Sequence, residues 1–488
     1  MIVKKVDVLI VGSGMGSLSA AVLLARKGLK VTIIEQNWQP GGCTSSYWRK
    51  GFVFEAGATT LVGLGDHMPL QHVLDETGIE LSPRHLSLPM QVHLADGTTV
   101  NRYEDLNDWI AEAERVFGKK GQRAFWQEAY EISRFVWKTS LKQTAFPPTK
   151  PSDLWQSVAN VSLDQVKSLP YAFISTGKLL EKHGLLMDDA FVAFVNEQLL
   201  ITAQNHMSEV NALFGATALC YTNYPNYYLD GGLLNLVNPF VKYIEERGGA
   251  LVLRESVSKI EQAENGYRVS CTKGQEYQAE YLISGIPINN TLEMLAREAK
   301  DKLQTKVMAS DQLNSAFQMG IGFKPHRDFD SIHHQIHLPN GLAETGSASI
   351  FISLSHPEDQ SRSDEEGLAV MSVSTHIPDP AHKMIDKDKA AASVIDALES
   401  REFLKRENII YQHASTPKSW AKWTGRKWGF VGGYPQYMSV KPWQMLDARL
   451  DKHKAYIVGD TVYPGQGIPG VTLSGIIAVD KMSRDWGL

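Results

Sequence analysis

The sequence predicts an α/β fold in which one parallel-sheet domain is assembled from separated segments, with an α+β domain carried between them. Three observations predict it. A strand, glycine turn, helix, strand and acid follow one another over residues 6–35, and the same alternation returns over 227–285. A buried strand then runs into a glycine loop and a last helix over 455–482.

Composition bounds the chain before any motif does. Its 488 residues suffice for two or three domains or one large interleaved unit. With 49 Lys and Arg against 54 Asp and Glu, the net charge of -5 advertises no polyanion partner, so nucleic acid is set aside. Cys43, Cys220 and Cys271 are too few and too scattered for a disulfide framework or a four-thiolate cluster, and they fit a reducing compartment. The opening MIVKKVDVLIVG reads as a strand rather than a signal peptide. No apolar run approaches the ~20 residues that span a bilayer. The expectation is a soluble, cytoplasmic protein, or one peripheral on the cytoplasmic membrane face.

VDVLIV is a buried parallel-strand pattern. Gly12-Ser13-Gly14-Met15 makes the turn, LSAAVLLARKG continues at helical spacing, and KVTIIE is a second strand ending on Glu35 and followed by Gln36. Gly12 permits a tight turn, and Gly14 lets the backbone approach a pyrophosphate. The helix N-terminus presents free N–H groups and partial positive charge to that phosphate. Glu35 accepts ribose hydroxyls, which favours FAD or NAD over NADP. Ser17 takes the third glycine position and is small enough for close helix–strand contact.

Residues 91–103 read as a hairpin about Asp96-Gly97. From 104 to about 220 the pattern is helical, broken by TAFPPTKPSDLW, and rich in Phe117, Phe125, Trp126, Phe135, Trp137 and Trp155. That density is either an ordinary helical core or a cap over an apolar pocket that touches a membrane surface. Residues 227–285 return to α/β character, and 295–410 alternate as the sheet of a substrate domain. His333 and His337 alternate with Gln335 on one strand face; no acid or thiol converges on them, so a polar strand face is expected rather than a metal site. Cys43 is expected as a small turn residue packed near the cofactor rather than a redox thiol.

AYIVGD is a last strand of the first domain, ending on Gly459-Asp460, with Asp460 placed to bond the ribityl or pyrophosphate part of a dinucleotide. PGQGIPGVTLSG, containing Gly467, Pro469 and Val471, is a turn and helix start whose N–H groups favour negative charge on a bound cofactor.

Three stretches together, VGSGMGSLSAAVLLARKG…IIEQ, GGCTSSYWRKGFVFEAGATTLVG and VGDTVYPGQGIPGVTLSG, resemble the carotenoid desaturase and carotenoid isomerase flavoproteins, a family that also includes retinol saturases. The resemblance implies an FAD-binding, Rossmann-like domain of glutathione-reductase type. It places Gly42-Cys43 after the ribose-binding acid, Gly57-Ala58-Thr59 beside the flavin ring and Val257 against the adenine. It implies an apolar polyene drawn from membrane, held against the flavin, with a quinone or oxygen as electron acceptor. It fixes no catalytic acid or base.

The implied division assigns 1–85, 227–294 and 413–488 to FAD binding, 86–226 to a substrate cap, and 295–412 to the substrate-domain sheet. Desaturation is the first expectation, with isomerisation by reduced FAD or saturation as alternatives. A prenyl-binding protein of the Rab GDP-dissociation-inhibitor type shares the fold but lacks a working FAD site. A flavin amine oxidase usually ends on GE where this chain has GD…PGQG.

Overall fold

The computed structural model describes residues 3–159, 168–295 and 303–488. It holds two seven-stranded sheets. The first is organised on the strand Lys4–Val11, which pairs in parallel with Val31–Ile34 on one side and Glu276–Ser284 on the other. Ala250–Val252 extends the sheet beyond Val31–Ile34, and Ala455–Ile457 joins the end of Glu276–Ser284, both in parallel. Five strands from distant parts of the chain therefore run the same way, and the loops leaving them gather at one edge. An antiparallel ribbon, Val257–Ala263 with Gly266–Cys271, completes the sheet.

The unbroken apolar run of the first strand is explained by what covers it. Val8 and Ile10 face a core shared with the helices Met15–Arg26, Leu234–Glu246 and Gly467–Trp486. Leu9 and Val11 face a second core with Val257, Leu282 and Ile457. A sheet buried on both faces has no use for alternation.

The second sheet runs Ile409–Ser415, Asn314–Phe323, Ala369–Pro378, Ser349–Leu354, His333–His337, Met90–His93, Thr99–Arg102. Its neighbours are antiparallel except His333–His337 with Met90–His93. The hairpin expected at Asp96-Gly97 is present, with Val92 opposite Val100 and Gly97 at φ +93°. The expected polar face of the histidine strand is instead buried on both sides. Gln335 meets Glu197 of the helix Asp189–Ala203, while His334 packs on Phe403.

The aromatic density of the helical region divides. Phe125 and Trp126 are wholly buried with Trp109, Phe191 and Phe194; Phe117, Phe135 and Trp137 are half-buried. Trp155, on the helix Pro151–Ala159, is 77% exposed, with Leu154 and Val158 beside it on the surface. Among the described residues, no helix is long and apolar enough to cross a membrane.

Candidate functional site

The site grows from the edge where the parallel strands end. Val11 leads into Gly12 at φ +85°, where a Cβ would meet Ile286 Cγ2 at 2.9 Å, so only glycine makes this turn without strain. The Gly12 N–H donates to the Ile34 carbonyl at 2.8 Å, tying the turn to the next strand. The helix starts at Met15, and Gly14 caps it with no side-chain bond. A Cβ on Gly14 would meet nothing within 4 Å. The helix N-terminus thus opens on free space, the setting that a phosphate requires.

Glu35, 6% exposed, forms the wall opposite. Its Oε2 accepts from the Ser13 N–H at 2.9 Å and from the Ser13 hydroxyl at 2.6 Å, while Oε1 accepts from the Asn37 N–H at 2.9 Å. The carboxylate therefore shapes the glycine turn directly. Gln36 is exposed and lies against Gly425. The Glu255 N–H donates to the Glu35 carbonyl at 3.0 Å, which brings buried Val257 to the same corner.

Two further turns stack beside this one. Gly41 bridges to Gly14 and donates to the Ser13 carbonyl at 3.1 Å. A Cβ on Gly42 would lie 3.7 Å from Gly14 Cα. The Ala58 N–H donates to the Cys43 carbonyl at 2.9 Å, and a Cβ on Gly57 would press on that carbonyl at 3.0 Å. Burial pushes the Cys43 thiol up, against the pull of Arg426, so it stays protonated and small. Just before Ala56, Glu55 pairs with Arg362 at 2.7 Å, both side chains almost fully buried. Glu55 also accepts from Ser46 at 2.9 Å and the Leu233 N–H at 3.2 Å, anchoring the strand that delivers Gly57-Ala58-Thr59.

The C-terminal segment closes the site. The Gly459 N–H donates to Ser474 Oγ at 2.9 Å, and a Cβ on Gly16 would meet Gly459 N and Val471 O, both at 3.1 Å. The first and last helices therefore touch at backbone distance. Gly467 begins the last helix at φ +80°, and Pro469 packs on Gly63, where an added Cβ would lie 3.1 Å from its Cγ. Asp460 is partnered by Arg426, Nη2 to Oδ2 at 2.7 Å, while Arg426 Nη1 is buried without a partner among the described residues. Sequence reasoning missed Arg426, which lies in TGRKWG with no motif to mark it.

All four sequence-selected segments thus converge on one edge. The open helix N-terminus, the acid one strand away and the uncapped glycine turns fit the pyrophosphate, ribose and ring of FAD.

A cavity of about 260 Å³ adjoins the Ala56 end of this turn, lined by Trp38, Tyr47, Arg49, Gln318, His413, Trp420 and Trp423 among others. The Tyr47 hydroxyl and His413 Nε2 are 2.7 Å apart. Burial pulls His413 down to about 4 and pushes Tyr47 up, so both are uncharged at neutral pH. No carboxylate among the described residues lines this cavity. Among the described residues, no three His, Cys, Asp or Glu side chains stand together as a metal site. His333 is bonded instead to Thr60 and Ser353.

Comparison with known proteins agrees with the geometry. The family model "Flavin containing amine oxidoreductase" matches residues 18–483. The chain is 23% identical over 507 residues to prolycopene isomerase 1 of an Oncidium hybrid cultivar, covering 99% of this chain and 85% of the relative. It is 22% identical over 528 residues to the 4,4'-diaponeurosporene oxygenase of Staphylococcus aureus strain MW2, covering 98% of each. The solved structure of a redesigned putrescine oxidase shares the fold at a TM-score of 0.66 and 16% identity, covering 99% of this chain and 100% of that one.

Proposed function

The chain belongs to the flavin-containing amine oxidoreductase family, an FAD-dependent oxidoreductase class, and we propose that its substrate is a long apolar polyene. The observation that carries this reading is the cavity beside Ala56: Trp38, Tyr47, Trp420 and Trp423 wall it, Tyr47 and His413 are uncharged, and among the described residues its charged group is the cation Arg49, with no carboxylate to receive a substrate ammonium. An amine substrate is poorly served there; a conjugated hydrocarbon is well served. Similarity along almost the whole chain to a prolycopene isomerase and a diaponeurosporene oxygenase supports the same class.

In this reading Gly12, Ser13, Gly14 and Met15 hold the pyrophosphate, Glu35 and Gln36 the ribose, and Val257 the adenine. Gly42, Cys43, Gly57, Ala58, Thr59, Gly459, Asp460, Gly467, Pro469 and Val471 surround the ribityl and ring. FAD, when bound, supplies hydride or electron transfer. The protein positions the polyene, excludes water and fixes donors around the ring. The segments 1–85, 227–294 and 413–488 form the FAD side, with 86–226 and 295–412 on the substrate side.

Desaturation removes two hydrogens from the polyene and requires a quinone or oxygen as final acceptor. Isomerisation is the second reading, favoured by the similarity to prolycopene isomerases over 99% of the chain. The exposed Leu154, Trp155 and Val158, all on the helix Pro151–Ala159, are the residues by which the protein would meet a membrane and its dissolved substrate.

The product's mass tests the reading. Flavin-loaded protein is given an acyclic carotenoid in liposomes under oxidising and reducing conditions. Loss of two hydrogens per step marks a desaturase. Unchanged mass with a shifted absorption and elution marks an isomerase, and oxidation of simple amines with peroxide release would overturn both.

A further inference from the structure

Thr59 ends a hydrogen-bond chain whose direction follows from its Ser353 link. Ser353 Oγ donates its single proton to Thr59 Oγ1 at 2.7 Å. Ser353 must then accept from its other neighbour, His333 Nδ1, at 2.9 Å. That places the imidazole proton on Nδ1 and leaves Nε2 an acceptor, which receives the Thr60 hydroxyl at 3.1 Å. The antiparallel register sets His333 directly opposite Ser353, and Phe351 stacks on the imidazole with ring planes 14° apart. His333 is 2% exposed, and burial pulls it down to about 3, so it is neutral and cannot reverse the chain by gaining a proton near pH 7. Within the described chain the Thr59 proton itself has no acceptor.

We infer that His333 is a positioning residue which, through Ser353, turns the Thr59 hydroxyl into a fixed outward donor toward the bound flavin. This rests on the placement of Thr59 beside the ring. A donor held toward the flavin favours the more negative, reduced form, so its loss moves the midpoint potential to more negative values. A residue that only supported the strand would change stability and leave the potential alone.

The test is the flavin midpoint potential of the holoprotein in five variants, with melting temperature and FAD stoichiometry measured alongside. Thr59→Val, Ser353→Ala and His333→Phe each shift the potential negative. His333→Asn, whose amide N–H can replace Nδ1–H toward Ser353, restores most of it. His333→Phe adds nothing in a Thr59→Val background, because the donor it orients is already gone. If Thr59→Val shifts the potential and His333→Phe does not, or if the two shifts add, the relay is overturned. If Thr59→Val leaves the potential unmoved while FAD stays stoichiometric, the placement of Thr59 beside the ring fails, and the inference with it.

Discussion

Gly475 in the last helix lies against Gly16 in the first: a Cβ built on it would come within 2.7 Å of the Gly16 carbonyl and 3.1 Å of Ala20 N. The obstacles are backbone atoms of a buried helix, which cannot swing aside as a side chain does. Gly475→Val is therefore expected to cost about 1–3 kcal/mol, to push the first and last helices apart and to lower flavin content. Thermal unfolding and flavin content per chain check it; full flavin content at an unchanged melting temperature would show that the helices do not meet this closely.

Glu35 shapes the glycine turn through both donors of Ser13. Glu35→Gln keeps the outline and removes the charge. Hydrogen bonds to a charged group contribute about 1.5–3 kcal/mol, so FAD affinity should fall roughly 10- to 100-fold. Titration of FAD into apoprotein, followed by flavin fluorescence, measures the change; an unaltered Kd would move the ribose contact elsewhere.

Stability should fall in mild acid. Burial pulls His333 and His334 down to about 3 and His337 to about 4, against 6.5 for the unfolded chain. Below pH 6.5 the unfolded state binds protons that the folded state refuses, so stability decreases as pH falls, by up to about 1.4 kcal/mol per pH unit for each histidine. The loss runs from 6.5 down to the folded values and stops there. Melting temperatures between pH 7.5 and 4.5 should be level above 6.5 and drop below it; a flat profile would mean that water reaches this strand.

The exposed face at Trp155 should govern membrane contact. Trp155→Glu together with Val158→Glu is expected to abolish co-sedimentation with liposomes while leaving flavin content unchanged. Equal sedimentation of variant and native protein would place any membrane contact on another face.

Much of this was legible in the sequence because it rests on local rules. VDVLIV, the Gly12 turn and the periodic helix after it specify their own geometry, and the hairpin at Asp96-Gly97 needs only its turn residues. What stayed hidden depends on contacts between distant segments. Ser353 gains meaning only when sheet register sets it against His333, Thr60 only when its loop reaches the same imidazole, and Arg426 only when folding brings it to Asp460. The strand HHQIH looked polar because sequence shows residue type and not burial. The aromatics of 117–155 looked uniform, yet Trp126 and Trp155 end at opposite extremes of exposure, since helical spacing does not reveal which face finds a partner.

The most direct test of the account is conversion of a polyene that depends on FAD. Apoprotein and FAD-loaded protein are each incubated with an acyclic carotenoid in liposomes, and the pigments are separated by chromatography. The starting carotenoid is expected to give way to a new species with the loaded protein alone. A carotenoid left unchanged by protein that carries one FAD per chain, under oxidising and reducing conditions alike, would contradict it.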